Sequence, residues 1–540
     1  MKLPLDLYTA SQVRELDYIA INNFGISGFT LMKRAAQATF DVFLMAYPEA
    51  KTLCVVCGSG NNGGDGYVIA TLAIEAGFTV DLIQLGDIDS INGDALLARE
   101  AYLQVGEEES VESIESIESI KNVFASSSSS SIKPIPPLFS KLLDADIIVD
   151  AIFGTGLSRD ISGHWKAVID AINISKAKVV AVDIPSGLNA DTGRIQGAAI
   201  KADLTVTYIG LKCGLFTGQA RDYCGKINFD DLQVPKAVYK HLAEKLNKPP
   251  NKQLIPENYL QLILKPRLRS SHKGNHGHIL FVGGAQGMSG AIRLAAEAGL
   301  RAGAGLVSIA TDPSHANLIN LTRPELMVTG IKQAQDLQPL IDKSSVIVIG
   351  PGLGKSDWAK QLLQKVLESA KPKVLDADAL NLLSVLSKQS LHNHNFNSHN
   401  NHHDHNWILT PHPAEAARLL GVSTAEIEED RYQSIQKLAK KGGDGYILKG
   451  AGTLVSDGNI THVCNAGNSG MASGGMGDVL SGVIAALIAQ GLSLLDAATA
   501  GVQIHAQAAD LAAQKGERGL LASDLFPFIR QLMNERVAHE

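Results

Sequence analysis

Short apolar runs alternate with longer stretches of mixed polarity along the first half of the chain. The runs lie at Thr52–Cys57, Thr79–Leu85, 146–153, 178–184 and 204–209. A helical stretch from Tyr67 to Ala76 separates the first two runs, and Thr9 with Gln12 has the spacing of a capping box that opens a helix reaching Ile21. Continuous apolar strands separated by helices are typical of a parallel sheet covered on both faces, so we predict an α/β fold.

The same alternation restarts in the second half, after a polar segment with a Pro-Pro pair. The apolar runs there lie at His278–Val282, Leu306–Ala310 and Val346–Ile349. A helical stretch, Ala291–Ala302, follows the first of them. Polar composition and consecutive prolines predict a linker at 241–255. Because 540 residues exceed what one core supports, we predict two α/β domains, 1–240 and 256–540.

Two segments match neither pattern. Residues 107–137 contain repeated ESI triplets, a run of serines and several prolines, which predicts a disordered insertion. Residues 391–406 are rich in histidine and asparagine. Such a tract is either a metal-binding segment or an expanded surface loop. Since nothing in it fixes a ligand geometry, we interpret it as a loop.

Composition narrows the classes of function. The formal net charge is −7 and no long basic run occurs, so we expect no nucleic-acid or membrane partner. The N-terminus has no apolar signal segment, and no apolar stretch reaches the roughly 18 residues of a membrane span. The five cysteines are few and odd in number, which favours a reducing compartment. We therefore expect a cytoplasmic protein.

Polar side chains follow three of the apolar runs in the first half. GSGNNGGDG follows the first run, and its Gly63 and Gly64 would let the backbone approach a ligand closely. Asp150 with GTGLSRD follows a second run, and Asp183 with Ser186 follows a third. The carboxyl ends of parallel strands meet at one edge of a sheet. The three loops therefore form a pocket for a phosphorylated, hydroxyl-rich ligand, or they are three ordinary turns.

Two smaller patterns in this half concern metals and redox chemistry. The side-chain oxygens of Asn62, Asp150 and Ser186, without cysteine or histidine, suit a hard cation such as an alkali metal. Cys54 and Cys57 form a CxxC sequence, but inside an apolar run rather than at a helix start. Buried structural cysteines are therefore favoured over a redox pair.

The motifs NNGGDG, VDAIFGTGLSRDISG and VDIPSGLNADTG together resemble the YjeF N-terminal family, the NAD(P)H-hydrate epimerases. The resemblance spans about residues 8–238 and implies a Rossmann-like parallel α/β sandwich. It implies interconversion of the R and S forms of hydrated NAD(P)H at C6 and a contact between Asp183 and the hydrated ring. Asp183 is therefore our candidate acid–base residue. A potassium ion (K⁺) would be held by Asn62, Asp150 and Ser186. The hydrate-binding residues that it implies are Asn61, Asn62, Gly63, Gly64, Asp65, Gly154, Thr155, Gly156, Leu157, Ser158, Arg159, Asp160 and Asp183.

The second half contains a glycine-rich turn, GMASGGMGDVLSG at 470–482, directly before an apolar helical stretch. Such a turn presents free backbone N–H groups and the positive end of a helix dipole, which usually bind phosphate. Asp478 would repel a phosphate there, so we interpret it as a general base. The alternative is an N-cap of a packed helix. Five further loops, GGAQGMSG, PGLG, DADALNLL, TPHPAEAARLL and KGAGTLV, place polar groups at strand ends and helix starts, which indicates a nucleotide site.

A GxGD turn of this kind resembles the ribokinase superfamily. The motifs GGAQGMSGAIRLAAEAGLRAGAGLV, PGLG, DADALNLL, TPHPAEAARLL, KGAGT and NSGMASGGMGD more narrowly resemble the ADP-dependent NAD(P)H-hydrate dehydratases, over about residues 256–540. The resemblance implies a ribokinase-like α/β domain, ADP as co-substrate and an assisting Mg²⁺ ion. The implied hydrate contacts are Ala291, Gly354, His412 and Asp478; the implied adenine-nucleotide contacts are Lys449, Gly450, Ala451, Gly452, Thr453 and Gly477. His412 has the alternative role of bracing its loop between two prolines.

The two resemblances together imply a bifunctional nicotinamide nucleotide repair protein. Its substrates would be NADHX and NADPHX, the hydrates of NADH and NADPH, and we expect a homo-oligomer. Two other functions stay open. The chain is alternatively a ribokinase-type small-molecule kinase with an accessory N-terminal domain. The first half is alternatively a binding module only, since Asp183 is its one evident acid–base residue.

Deleting both insertions tests the interpretation of the two irregular segments. We expect a chain without Ser126–Ser131 and His392–His405 to stay soluble and to keep both implied activities within a few-fold. The reason is that such compositions cannot bury a core. Assays of the deleted and intact chains side by side provide the measurement. Loss of soluble protein, or of either activity, would show that the segments pack or act.

Overall fold

The chain forms two compact units, Met1–Lys252 and Gln253–Glu540, in a computed structural model. The structure describes residues 3–105, 111–114, 142, 144–247, 249–390, 406–441 and 443–534. The predicted insertion at 391–406, apart from Asn406, lies outside the described residues. So does the insertion at 107–137, apart from 111–114.

The first unit alternates strands and helices. Its elements are β1 (Leu7–Tyr8), α1 (Ala10–Asn22), α2 (Gly28–Ala46), β2 (Thr52–Cys57), α3 (Asn61–Glu75), β3 (Thr79–Leu85), α4 (Gly93–Val105), β4 (Val111–Ile114), β5 (Ile147–Ala151), α5 (Gly163–Ile174), β6 (Lys178–Val182), β7 (Leu204–Tyr208), β8 (Leu211–Lys212), β9 (Lys226–Asp230) and α6 (Lys236–Lys245). Helix α1 begins as predicted. Gln12 N–H donates to Thr9 Oγ1 at 3.3 Å, and Thr9 N–H donates to Gln12 Oε1 at 2.8 Å.

Seven strands of the first unit form one sheet in the order β4-β3-β2-β5-β6-β7-β9. Every paired neighbour is parallel, which confirms the predicted parallel α/β fold. Apolar cores lie on both faces of this sheet. Cys57 packs in one core and Cys54 in the other, because residues three apart in a strand point to opposite faces. Both side chains are fully buried, so the interpretation of this CxxC as buried structural cysteines is confirmed.

Two segments have more regular structure than their sequences predict. Strand β4 pairs with β3 inside the segment predicted to be a disordered insertion. The segment predicted as a linker, 241–255, includes the last turn of α6 and strand β10 (Lys252–Leu254). Polar composition misled the prediction in both cases, because a short edge strand needs backbone pairing more than apolar side chains.

The second unit also alternates strands and helices. After β10 its elements are α7 (Tyr259–Ile263), β11 (His278–Val282), α8 (Ser289–Arg301), β12 (Leu306–Thr311), β13 (Met327–Gly330), α9 (Gln338–Lys343), β14 (Val346–Ile349), α10 (Asp357–Leu367), β15 (Lys373–Leu375), α11 (Asp378–Ser390), β16 (Trp407–Leu409), α12 (Pro413–Leu420), α13 (Thr424–Glu429), α14 (Arg431–Ala439), β17 (Gly445–Leu448), β18 (Leu454–Ser456), β19 (Thr461–Val463), α15 (Met476–Ala489), α16 (Leu494–Ala512) and α17 (Phe526–Leu532). Its sheet has the order β10-β19-β18-β17-β16-β15-β14-β11-β12-β13. The strands from β17 to β13 in that order pair in parallel, while β17, β18 and β19 pair antiparallel.

Helix α15 lies inside the second unit. All ten residues Val479–Ile488 are buried, as expected of a helix that is apolar on every side. A Cβ atom on Gly482 would come within 2.0 Å of the Ala295 carbonyl oxygen, so α15 and α8 approach closely. This packing fixes where the first turn of α15 lies. In the described part of the chain, no helix is both long and apolar enough to cross a membrane.

Candidate active sites of the two units

Loops at the carboxyl edge of the first sheet enclose a cavity of about 560 Å³, a volume typical of sites for small molecules and cofactors. It is bounded by the segments after β2, β5 and β6 together with α1 and α2. The predicted site residues that line it are Asn61, Asn62, Asp65, Gly154, Thr155, Gly156, Leu157, Ser158, Arg159 and Asp183. The three predicted loops therefore do form one pocket, where ligands bind in open α/β sheets.

Asp183 follows β6 with a φ of 67°, in the left-handed region that non-glycine residues rarely adopt. Its carboxylate accepts hydrogen bonds from the Thr207 hydroxyl at 3.2 Å and the Tyr208 N–H at 3.3 Å. It also forms an ion pair with the buried ammonium of Lys212. Lys212 Nζ donates in turn to Thr207 Oγ1 and to the Tyr208 carbonyl, each at 3.0 Å. Asp183 is thus held in one orientation at the cavity wall.

Asp17, Asp65 and Asp94 also line this cavity, and the pKa values of the first two are raised. Burial raises the pKa of Asp17 to about 6; Lys212 opposes this shift and Asp183 adds to it. Burial also raises the pKa of Asp65, with the negative charges of Asp183 and Asp17 adding to the effect. Among the described residues, neither carboxyl group has a hydrogen-bond partner. The cavity therefore holds one paired carboxylate and two carboxyl groups that readily keep a proton.

The segment Asn61–Asp65 is not a loop, as the sequence analysis expected, but the first turn of α3. Gly63 and Gly64 do not line the cavity. A Cβ on Gly63 would lie 1.8 Å from the Gly58 carbonyl oxygen, and one on Gly64 would lie 2.5 Å from Met32 Cε. These glycines therefore let α3 pack against its neighbours rather than let a ligand approach. Asp160, another predicted contact, is exposed and also lies outside the cavity lining.

Two of the three predicted cation ligands contact each other behind the cavity wall. Asp150 is fully buried and accepts hydrogen bonds from the Ser186 N–H at 2.7 Å and the Ser186 hydroxyl at 2.6 Å. Burial raises the pKa of Asp150 to about 6, although hydrogen bonds from Ser186 oppose the shift. No basic side chain of the described residues forms an ion pair with it. The buried Asn62 amide nitrogen likewise has no partner within the described chain.

In the second unit, the predicted loops follow strands β11, β14, β15, β16 and β17, which are parallel and end at one edge. Helix α15 starts after Gly475, whose φ of 91° is left-handed and which makes no side-chain cap bond. Among the described residues, the N–H groups of 473–477 have no acceptor. Free donors and the positive end of a dipole therefore meet at this turn, as the sequence predicts for an anion site.

Asp478 lies at the third position of α15, so the alternative that made it the N-cap is wrong. Its carboxyl group has no hydrogen-bond partner in the described part of the chain. Burial raises the pKa of Asp478 to about 7; Asp376, Asp378 and Glu415 add to the shift and Lys449 opposes it. A carboxyl group that titrates near neutrality is suited to proton transfer at physiological pH.

Asp376 anchors Lys449 beneath this turn. The two form an ion pair of 2.9 Å, and Asp376 also accepts hydrogen bonds of 2.7 Å from each of the hydroxyls of Thr410 and Ser481. Burial alone would raise the pKa of Asp376, but Lys449 and the hydrogen bonds hold it below its usual range. A Cβ on Gly477 would lie 3.2 Å from Lys449 Nζ. Two predicted nucleotide contacts, Lys449 and Gly477, are therefore adjacent.

His412 caps helix α12. Its Nδ1 accepts from the N–H groups of Ala414 and Glu415 at 3.1 and 3.4 Å, and its Nε2 lies 3.2 Å from Glu415 Oε1. The Glu415 carboxylate also lies 3.9 Å from Lys449 Nζ. The bracing role considered for His412 is therefore present. With 46% of the side chain exposed, the ring still offers a surface to a ligand.

The KGAGT segment turns through Gly450 and Gly452, with φ values of 138° and 64°. Arg431 on α14 is almost fully buried and donates to the carbonyls of Leu448 at 3.2 Å and Lys449 at 3.1 Å. A Cβ on Gly450 would come within 3.0 Å of this guanidinium, so a side chain there would collide with it. Arg431 therefore sets the path of the chain at the predicted nucleotide loop.

The remaining predicted hydrate contacts belong to the same edge. The Gly354 N–H donates to Asp378 Oδ2 at 2.9 Å, and Asp378 is one of the charges acting on Asp478. Ala291 on α8 lies against the PGLG loop that contains Gly354. A Cβ on Gly352 of this loop would lie 3.3 Å from the Ala291 Cβ. Within the described chain, no group of three or more His, Cys, Asp or Glu side chains has the arrangement of a metal site.

Sequence reasoning missed several of these residues, although some carried a signal. Lys212 is a charge within the otherwise apolar run from Tyr208 to Phe216. Asp17 is a charge four residues after the buried Val13, on the inward face of α1. Arg431 carried no signal, because an arginine at a helix start is ordinarily a surface residue.

Comparison with known proteins matches the two units to two families. A model of the NAD(P)H-hydrate dehydratase family matches residues 279–531, and one of the YjeF-related protein N-terminus matches residues 28–214. The chain is similar to the bifunctional NAD(P)H-hydrate repair enzyme Nnr of Coxiella burnetii, with 45% identity over 98% of this chain and 99% of that protein. It is 43% identical to the Nnr enzyme of Escherichia coli, over 99% of this chain and 96% of the relative.

A similar solved structure is the ADP/ATP-dependent NAD(P)H-hydrate dehydratase from Bacillus subtilis, co-crystallized with ATP/Mg²⁺. It is 26% identical, covers 52% of this chain and 96% of its own, and has a TM-score of 0.45.

Proposed function

This chain belongs to the bifunctional NAD(P)H-hydrate repair enzymes, and on that premise we propose that its two units carry out successive steps of one repair. The first unit interconverts the R and S hydrates of NADH and NADPH. The second unit dehydrates the S hydrate to NAD(P)H with ADP. The observation that carries the proposal is the Asp478 carboxyl group, which lies without a hydrogen-bond partner at the start of α15 beside Lys449.

The chemistry of the second site follows from its charges. Hydroxide is a poor leaving group, so phosphorylating the hydroxyl of the hydrate makes elimination possible. Asp478 takes the hydroxyl proton, and the oxygen attacks the terminal phosphate of the nucleotide. The free N–H groups of 473–477 and the ammonium of Lys449 stabilise the negative charge on the transferred group.

A magnesium ion would assist by neutralising phosphate charge. Asp376 does not suit it, because Lys449, Thr410 and Ser481 already occupy both of its carboxylate oxygens. Glu415 does not suit it either, because its Oε2 accepts from the His412 N–H at 2.9 Å and its Oε1 lies 3.2 Å from His412 Nε2.

The first site has the donors for a monovalent cation. Asp150 is a buried carboxylate without a basic partner among the described residues, and Ser186 and Asn62 add neutral oxygens. This set fits K⁺, which would supply the missing positive charge behind the hydrate pocket. Ser186 also supports the wall of the cavity. Its Oγ accepts from the N–H of Phe153 at 2.8 Å, and Phe153 lines the cavity.

We expect Asp150→Ala to weaken hydrate binding in the first unit, because it removes the charged ligand of the cation. The measurement is the KM of epimerisation in K⁺ and in a buffer whose only cation is tetramethylammonium. The wild-type KM should rise when K⁺ is withdrawn, whereas the KM of the variant should be insensitive to the exchange. Asp170→Ala, an exposed aspartate on α5, is the matched control and should behave as the wild type does. Equal wild-type kinetics in both cations would contradict the ion site.

One experiment tests the whole function. Purified chain is incubated with a mixture of R and S hydrates plus ADP, and the dihydronicotinamide absorbance is followed. Conversion of both epimers requires both activities, whereas conversion of the S portion alone leaves the first unit as a binding module. Accumulation of a phosphorylated product without dihydronicotinamide would favour the small-molecule kinase instead.

The setting of the reaction follows from the chain itself. We infer a cytoplasmic enzyme that acts as a homo-oligomer on NADHX and NADPHX. The five cysteines support the reducing compartment, since all are buried and none forms a disulfide in the described chain.

A further inference from the structure

The first cavity holds more proton-transfer groups than one acid–base residue accounts for. The Oδ1 atom of Asp183 accepts from Lys212, Thr207 and the Tyr208 N–H, whereas Asp17 faces the same cavity with no hydrogen-bond partner among the described residues. Inverting a carbon that bears a hydroxyl requires the oxygen to leave one face and return on the other. A proton must be supplied on one side and removed on the other.

We propose that Asp17 is a second catalytic residue of this site, which protonates the hydroxyl that leaves C6 while the Asp183 carboxylate takes a proton from the water that adds to the opposite face. The proposal rests on the epimerase function proposed above. It goes beyond that function by dividing the two proton transfers between α1 and the loop after β6.

The step balances in atoms and charge. Asp17 gives its proton to the C6 hydroxyl, the C6–O bond breaks with loss of water, and the N1 lone pair forms an N1=C6 double bond. Water from solvent then adds to the other face of C6, the N1=C6 pair returns to N1, and Asp183 receives the proton. After one inversion, a proton has moved from Asp17 to Asp183. Proton exchange with solvent then returns both carboxyl groups to their starting states. The reverse direction exchanges the two roles.

The surroundings of the two carboxyl groups support this division. Lys212 is buried and forms an ion pair with Asp183, so a positive charge lies directly against that carboxylate. Asp17 has no such ion pair. The groups that face it are Lys212, Asp183, Asp65 on α3 and Tyr239 on α6, and Arg14 on its own helix and Asp94 on α4 also line the cavity. Burial raises the pKa of Asp17 to about 6, so it holds its proton more firmly than an exposed aspartate does.

Arg14 also links α1 to the rest of the site. Its Nη1 donates to the Thr155 carbonyl at 3.4 Å, in the predicted hydrate-binding loop. The helix that carries Asp17 is therefore tied to the segment 154–159 that lines the cavity. Asp17 itself lines this cavity rather than the outer surface of the helix.

The test compares Asp17→Asn, Asp17→Glu and Glu15→Gln in the full chain. Glu15 lies on the same helix but pairs with Lys245 and does not line the cavity, so its variant loses a carboxylate without touching the site. With R hydrate and ADP, Asp17→Asn should slow NAD(P)H formation by roughly 100-fold, the loss typical of removing one general acid. Asp17→Glu should recover part of the rate and Glu15→Gln should keep it. With S hydrate, all three should match the wild type, which reports that the second unit is intact and equal in amount.

Two further measurements separate catalysis from structure. An acid must carry its proton, so wild-type epimerisation should decline as pH rises through about 6, and the decline should be absent in Asp17→Asn. In ¹⁸O-labelled water, each inversion should place one solvent oxygen on C6.

The outcomes distinguish the two claims. If the wild type does not accelerate R-to-S conversion over the spontaneous rate, the epimerase function and this proposal both fail. If the wild type accelerates it but Asp17→Asn is as fast with the same pH profile, only the proposal is overturned. Inversion without oxygen exchange would also overturn it, as would a wild-type rate that is flat across that pH range.

Discussion

Asp478→Asn is expected to slow dehydration of the S hydrate by roughly 10²–10⁴-fold, the range typical of losing a general base. The amide cannot accept the hydroxyl proton, while the N–H groups at the start of α15 and the Asp376–Lys449 pair are untouched. The affinity for ADP should stay the same or improve, because a negative charge leaves the phosphate pocket. Steady-state rates at varied ADP, followed by dihydronicotinamide absorbance, separate the two effects.

The pH dependence of the same reaction has a defined sign. A base works when deprotonated, so the wild-type rate should fall as pH drops through about 7, the value to which burial raises the pKa of Asp478. This decline should be missing from the residual activity of Asp478→Asn. Lys449→Ala is the complementary variant, which should raise the KM for ADP first. An Asp478→Asn enzyme that dehydrates at nearly the wild-type rate would show that Asp478 is not the general base.

Asp183→Asn is expected to remove R-to-S conversion while leaving dehydration of the S hydrate intact. The amide cannot take the proton from the attacking water, and it also loses the charge that pairs with Lys212. With mixed hydrates and ADP, NAD(P)H formation should stop once the S portion is used, apart from slow spontaneous epimerisation. The amplitude of the fast phase measures this directly.

The control for that experiment is Asp170→Asn, on α5 and outside the cavity lining, which should convert both epimers. Because S-hydrate dehydration belongs to the other unit, it serves as an internal standard for enzyme concentration in every variant. Full conversion of the R hydrate by Asp183→Asn would show that the acid–base assignment is incorrect.

The strand prediction succeeded because buried parallel strands have a plain sequence signature. Four of the predicted runs, Thr52–Cys57, Thr79–Leu85, His278–Val282 and Val346–Ile349, match strands residue for residue. The positions of the loops then followed from topology, since parallel strands bring their carboxyl ends to one edge. The families inferred from the motifs are also confirmed by the matches to the two units.

The side-chain partners could not be predicted in the same way. Lys212 meets Asp183 and Lys449 meets Asp376 across 29 and 73 positions of sequence, and no local pattern reports such pairing. Helix α3 was predicted to begin near Tyr67, six residues after its observed start at Asn61, because glycines are poor helix formers in isolation. Here the demands of close packing override that preference.

The two glycines at the start of α3 also bear on how this enzyme could adapt to new substrates. Asn61, Asn62 and Asp65 line the cavity, yet they share one helical turn with Gly63 and Gly64, which touch Gly58 and Met32. Any substitution that widens this turn disturbs the hydrophobic core at once. The part of the wall formed by 154–159 is open at Gly156, where no atom lies within 4 Å of an added Cβ. Substitutions that alter ligand preference are therefore tolerated in 154–159 and constrained at the start of α3. The two parts of the cavity wall differ in how readily they can evolve.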